Sequence, residues 1–179
     1  MGTVMLDMAM TLDGFAADEA GRSVYPIEEL RGTAALREMI EATGAVVMGR
    51  NAYEMAKGDF TGYEYQVPIF VLTHQPPEVA ATGQNKRLSI SFVADGPEAA
   101  VRMARAAAGE KRVTVIGGPS TFHQCIALNL CDELKVRVIS RLQGRGLRLF
   151  GASSTQHELS RPTVICHPGR TDLQFLNLR

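Results

Sequence analysis

Two short runs in this chain combine glycine, the start of a helix and polar side chains in a way that suits phosphate chemistry. One is Val46-Val47-Met48-Gly49-Arg50-Asn51; the other is Val113-Thr114-Val115-Ile116-Gly117-Gly118-Pro119-Ser120. In each, an apolar strand-like stretch runs into glycine, where the absence of a side chain lets a ligand approach the backbone. The helix that follows offers unpaired N–H groups and a partial positive charge. Arg50 adds a planar fork that matches a phosphate. Two such junctions in one sheet could hold the two halves of a dinucleotide. Taken singly, each fits a plain tight turn equally well, with Arg50 as a solvated side chain. Neither follows the Gly-x-Gly-x-x-Gly or Walker pattern, which disfavours an ordinary Rossmann domain or a P-loop ATPase.

Other residues could do chemistry but have plainer readings. Asp13 precedes Gly14; it could supply or steer a proton, or simply bond its own backbone in an Asp-Gly turn. Asp7 lies inside a strand-like run and out of phase with its apolar residues, a weaker candidate for the same work. His123 sits on an apolar helical stretch, where a satisfied core histidine is the commoner outcome. Arg141, Arg145 and Arg148 stand among glycines and read as a solvated basic loop before they read as an anion site. Cys125, Cys131 and Cys166 are odd in number and lack ligand spacing, so neither a disulfide framework nor a metal centre is expected.

These residues need a scaffold, and hydrophobic periodicity supplies one. Residues 4–10 alternate, with Val4, Leu6, Met8 and Met10 on one face, as in a half-buried strand. A helix is expected over 27–43, stopped by Gly44. Residues 45–48 are wholly apolar, as in a strand buried on both faces. Further strands are expected at 68–73, 88–92, 113–116 and 134–138. Asp95, Pro97 and Glu98 open an alanine-rich helix that ends at Gly109, and Ser120 is expected to cap another through Leu128, with Asn129 as a left-handed stop. Residues 164–166 and 173–178 flank His167-Pro168-Gly169-Arg170, a hairpin signal. The expected architecture is one α/β domain over residues 1–179, with a mainly parallel central sheet, helices on both faces and an antiparallel C-terminal hairpin.

Bulk properties narrow the function. The chain has 179 residues, 45% of them hydrophobic and 21% charged, enough for one domain with a substantial core. Nineteen basic residues balance nineteen acidic ones, so the basic excess of a nucleic-acid partner is missing. No apolar run approaches membrane-spanning length, and the first residues lack the pattern of a signal peptide. The expected location is the cytoplasm.

The order of five blocks along the chain resembles the dihydrofolate-reductase superfamily, in particular stand-alone proteins similar to the reductase domain of riboflavin biosynthesis. They are Met10-Thr11-Leu12-Asp13-Gly14-Phe15-Ala16, Met48-Gly49-Arg50-Asn51-Ala52-Tyr53-Glu54, Ile69-Phe70-Val71-Leu72-Thr73, Val115-Ile116-Gly117-Gly118, and Asp132-Glu133-Leu134 followed by Leu142-Gln143-Gly144-Arg145-Gly146 and Leu149-Phe150. The resemblance implies an NADPH-dependent reductase that transfers hydride to a small nitrogen heterocycle of pterin, pyrimidine or flavin-precursor type, commonly as a homodimer. By that carry-over Gly49, Arg50 and Asn51 meet the cofactor phosphates, and Thr73 and His74 lie near the adenosine ribose and its 2′-phosphate. Ile116 leads into Gly117, Gly118, Ser120 and Thr121, which hold the pyrophosphate. Ala9, Met10 and the loop to Gly14 border the nicotinamide. Thr33 stands about where an acid on the first helix would meet substrate, with Glu29 nearby. The alternative is a dinucleotide-binding protein of the same fold without catalysis.

Overall fold

The computed structural model describes residues 2–25, 30–78, 80–151 and 157–176. The elements in chain order are β1 (Val4–Thr11), β2 (Phe15–Ala17), α1 (Ala34–Ala42), β3 (Thr43–Gly49), α2 (Arg50–Met55), β4 (Ile69–Leu72), β5 (Ile90–Val93), α3 (Gly96–Ala108), β6 (Arg112–Ile116), α4 (Pro119–Ala127), β7 (Glu133–Ile139), β8 (Leu147–Arg148), β9 (Thr163–His167) and β10 (Arg170–Leu176). Eight strands form one sheet in the order β5-β4-β3-β6-β1-β7-β10-β9, and β2 with β8 makes a separate pair. From β5 to β7 every neighbour is parallel; β10 runs antiparallel to β7 and β9 antiparallel to β10. This is the expected α/β architecture, with all eight expected strands in the main sheet.

Period-two alternation divides the core. Leu6 and Met8 of β1, Val113 and Val115 of β6, and Leu134 and Val136 of β7 are buried with α3 and α4 in one cluster. Ala99, Ala100, Ala104 and Ala108 form the buried stripe of α3, and side chains this small let a helix lie close on a sheet. Val46 and Met48 of β3 and Ile69 and Val71 of β4 face the opposite way, under Met39 of α1 and Tyr53 of α2. Each fully buried Val, Leu or Met contributes about 1.5–3 kcal/mol.

Three local expectations need correction. The first helix is shorter than 27–43: Gly32 takes a left-handed φ of 77°, and the Thr33 hydroxyl accepts from Leu36 N to cap a helix that starts at Ala34. Glu29 lies outside the described residues. Gly44 is not a helix stop but part of β3, and a Cβ there would stand 2.8 Å from Ala108 O, so the glycine permits close packing on the end of α3. Ser120 is not a cap; Gly118 is the N-cap of α4, with Pro119 in the first turn. In the sheet, β10 lies between β7 and the outer strand β9. Asn129 does adopt a left-handed φ of 52°. The short strands β2 and β8 offer too few residues for alternation to reveal.

Candidate active site

The parallel strands β3, β4, β5 and β6 end together on one side of the sheet, where open α/β sheets bind ligands. A cleft of about 410 Å³ opens there, the size of a small-molecule site. Gly49, Arg50 and Asn51 line it from the β3–α2 junction, Thr73 and His74 from the end of β4, and Gly118, Ser120 and Thr121 from the start of α4. Both glycine junctions and the turn after β4 therefore meet in one cavity. Gly117 lies just behind: a Cβ there would come within 3.0 Å of Gly49 N, and one on Gly49 within 2.3 Å of Thr121 Oγ1. The backbones of the two junctions touch because neither carries a side chain.

The polar groups suit an anion. Arg50, His74 and Arg148 line the cleft, and no aspartate or glutamate does among the described residues. Arg50 is half-exposed, and its Nε donates to Glu54 Oε1 at 2.6 Å one turn along α2. Gly49 and Gly118 cap α2 and α4 without any side-chain hydrogen bond, leaving the first turns of both helices open to a ligand. The Thr73 hydroxyl donates to Gln75 O at 2.7 Å, a turn that leaves the neighbouring His74 exposed on the cleft wall. Gln124 and Arg148 also line the cleft; Gln124 was not foreseen, and Arg148 was read first as a solvated loop residue and second as an anion contact. Arg148 stacks over the Phe15 ring at 4.6 Å and donates to Asp13 O. Of its loop neighbours, Arg145 pairs with Glu19 in solvent and Arg141 donates to Val24 O.

Ala9 and Met10 are half-buried at the end of β1, and Ile116 is half-buried at the end of β6. None of the three lines the cleft, nor does Gly14, whose φ of 89° makes the turn after β1. Arg148 joins that turn to the cleft wall. Thr33 is occupied as the cap of α1 and donates to Leu30 O. His123 bonds Leu149 O at 2.7 Å, the satisfied histidine expected. The three cysteines are free, and no group of three or more metal-binding side chains occurs among the described residues.

Asp13 is more than a local turn residue. Its carboxylate accepts from the Thr11 hydroxyl at 2.6 Å, from Gln143 N and from Gly144 N, clamping the loop at 143–144 against the end of β1. The Thr11 hydrogen bond first, then those from Gly144 and Gln143, outweigh desolvation and lower its pKa to about 2. A carboxylate so placed is ionised at neutral pH; it orients its donors rather than giving up a proton. Because its pKa falls on folding, its contribution to stability is present above the unfolded value near 3.9 and is lost as pH falls through about 2. Asp13→Asn carries an amide that resembles the protonated acid and turns donors against donors. Its melting temperature is expected to trail wild type clearly at pH 7 and to converge with it near pH 2. An equal gap at both pH values would remove the clamp.

A nucleotide-sized, carboxylate-free cleft beside an eight-stranded sheet of this order defines a dihydrofolate-reductase-like α/β protein. Residues 2–171 match the family described as RibD C-terminal domain, and the chain belongs to that family. Among solved structures, it is similar to a riboflavin biosynthesis protein from Shewanella sp. PV-4, with TM-score 0.73, 23% identity and 99% of each chain covered. It is also similar to a diaminohydroxyphosphoribosylaminopyrimidine deaminase/5-amino-6-(5-phosphoribosylamino)uracil reductase from Thermotoga maritima, with TM-score 0.71 and 18% identity; 98% of this chain covers 56% of that one. Dihydrofolate reductase from Enterococcus faecalis, complexed with NADP(H) and RAB-propyl, matches with TM-score 0.64 and 15% identity over 98% of this chain and 96% of that one. No curated protein matches.

Proposed function

We propose that this chain is an NADPH-dependent reductase that transfers hydride to a small nitrogen heterocycle of pterin, pyrimidine or flavin-precursor type. The observation that carries the reading is the convergence of both glycine junctions, Arg50 and His74 on one carboxylate-free cleft. The group fits: the bare backbones of Gly49 and Gly118 and the hydroxyls of Ser120 and Thr121 can meet a pyrophosphate, and Arg50 and His74 can meet further phosphate charge. When bound, NADPH supplies the hydride. The chain holds the dinucleotide against the ends of β3 and β6, and Ala9, Met10 and Gly14 border the reacting ring. Asp13 acts as a positioning residue, through the 143–144 loop it anchors. No described helix is long and apolar enough to cross a membrane, and the three unpaired cysteines accord with a cytoplasmic location. A homodimer belongs to the same reading: the outermost strand β9 exposes Val164 and Ile165 by about half, a sheet edge that a two-fold partner would cover.

Thermal melts test this reading. A ligand that binds only the folded state adds about 2.7 kcal/mol at 100 times its dissociation constant, several degrees for a chain this size. NADPH is expected to give that shift and to be consumed with candidate heterocycles. Arg50→Ala is expected to weaken NADPH by about 1.5–3 kcal/mol while leaving the cofactor-free melt unchanged. No shift with either NADPH or NADH would sink the dinucleotide reading; a larger shift with NADH would remove Thr73 and His74 from 2′-phosphate recognition. Light scattering on the same samples is expected to give about twice the chain mass of 19.4 kDa, and the single mass would remove the dimer.

A further inference from the structure

The turn that ends α4 brings two of the three cysteines together. Leu130 N donates to Cys125 O and Asn129 N to Ile126 O, each at 3.0 Å, with Asn129 left-handed at a φ of 52°. This is a Schellman closure of the helix, and it folds Cys131 back beside Cys125. The two residues are 2% and 0% exposed and share one core cluster. Both line a cavity of about 10 Å³ with Ile126, Asn129, His157 and Leu159. A space of that size holds one water-sized molecule, and its outer wall is made by the exposed residues His157 and Leu159. Beside it the two thiols hydrogen-bond to one another.

The two sulfurs are not equivalent. Donation from Cys131 holds the Cys125 thiol below its ordinary range, against the opposing effect of burial; the same hydrogen bond, and burial after it, push Cys131 up. Each thiol also belongs to a different element. Cys125 rides on α4. Cys131 is tied to the sheet through its neighbour Asp132, whose N donates to Val4 O and whose carboxylate accepts from Val4 N and Arg105, all at 2.8 Å. We propose that Cys125 and Cys131 form a reversible oxidation site for a small hydroperoxide, with Cys125 as the attacking thiol and Cys131 as the resolving one. The Cys125 sulfur attacks the peroxide: an S–O bond forms, the O–O bond breaks, and the second oxygen leaves with the thiol proton as water or an alcohol. The Cys131 sulfur then attacks the sulfenic sulfur, and the displaced hydroxyl takes the Cys131 proton and leaves as water. The dithiol loses two electrons and the peroxide gains them; a small dithiol reverses the bond by exchange. An S–S bond of about 2.05 Å is shorter than any thiol hydrogen bond, so closing it draws α4 toward the start of β7. Thr121 stands one turn before Cys125 on that helix and packs at Gly49. The movement therefore reaches the cleft and weakens NADPH. That effect on NADPH rests on the reductase reading; the disulfide does not.

Hydrogen peroxide is the probe, applied to the folded Cys166→Ser chain so that the exposed third thiol takes no part. The product is then unfolded, treated with iodoacetamide and weighed. Tryptic cleavage after Arg112 and Lys135 leaves both cysteines on one peptide. That peptide is expected to lose two hydrogens, to take up no iodoacetamide, and to regain both alkylation sites after dithiothreitol. In Cys131→Ala the reaction is expected to stop at a sulfenic acid on Cys125, trapped by dimedone. Two alkylated thiols, after an exposure that oxidises Cys166 in the wild-type chain, would overturn the site. So would a disulfide that appears only in protein that has lost its thermal transition. Fluorescence titration is expected to show NADPH binding several-fold weaker to the oxidised chain and restored by dithiothreitol. A disulfide that leaves NADPH affinity unchanged would overturn the link to the cleft. A reduced chain that ignores NADPH yet forms the disulfide would remove the reductase reading and keep the oxidation site.

Discussion

Asp7→Ala is expected to cost about 3–5 kcal/mol of folding stability, the effect of removing one partner from a buried ion pair. At this chain length that is a fall in melting temperature of about 6–20 °C. The reason lies in what remains. The Asp7 and Arg137 side chains are 2% and 6% exposed. Burial works against the charged guanidinium, and the charge and hydrogen bonds of Asp7 more than restore it, so that the Arg137 pKa lies above its ordinary value. Without Asp7 the arginine keeps, among the described residues, one weak hydrogen bond from its second terminal nitrogen to Met39 Sδ at 3.2 Å and the more distant charge of Asp172. It cannot neutralise itself by losing a proton. Replacing both partners tells a different story: Asp7→Leu with Arg137→Met removes two desolvated charges and leaves apolar side chains beside Met39, so the double variant is expected to melt within a few degrees of wild type. A double-mutant cycle on urea unfolding measures the coupling. A loss below about 1 kcal/mol in Asp7→Ala would mean that water reaches the arginine and that the pair is not buried in solution.

That pair also shows what a linear reading can and cannot find. Asp7 stands out of phase between Leu6 and Met8, and this anomaly is visible in the sequence alone. Its partner is not, because Arg137 lies 130 residues away and nothing local to β7 says which strand will be its neighbour. The sheet was legible for a related reason: the strands 4–10, 45–48, 113–116 and 134–138 declare themselves through their own side chains, whatever they pair with. The first helix was not, since Gly32 and Thr33 set its start through backbone dihedrals and one capping bond that a hydrophobic pattern does not record. At the cleft the two glycine junctions were readable as close-approach points, and the structure unites them. Arg148 was missed because its loop reads as solvated; only the stacking on Phe15 and the bond to Asp13 O turn it inward. Asp13 was noticed for only some of its partners. An Asp-Gly pair suggests a turn, and the carboxylate does meet its own backbone and Thr11, but it also accepts from Gln143 and Gly144 across the fold.

Gly49→Ala is expected to cost at least tenfold in NADPH affinity together with about 1–3 kcal/mol of stability, the usual effect of overpacking a well-filled site. The φ of Gly49 is −74°, which alanine accepts without strain, so backbone conformation is not the cause. The cause is contact. A Cβ at Gly49 would stand 2.3 Å from Thr121 Oγ1 but 3.5 Å from Thr121 Cβ. The hydroxyl alone is in the way. Thr121 is buried in the first turns of α4, so it can yield only by turning its hydroxyl out of place or by moving the helix away from β3. Either change opens the contact between the two junctions proposed to hold the pyrophosphate. Thr121→Ala in the same chain removes the obstructing oxygen and leaves the remaining separation at ordinary van der Waals range. The double variant should therefore recover the melting temperature. It should not recover cofactor affinity if the Thr121 hydroxyl binds the pyrophosphate, and Thr121→Ala alone should then show the same affinity loss with a normal melt. Thermal melts and fluorescence titration of NADPH on the three variants separate packing from binding. If the single Gly49→Ala variant binds NADPH as wild type does, the junctions need not touch for the cleft to work, and the close approach of Gly49 to α4 serves only the fold.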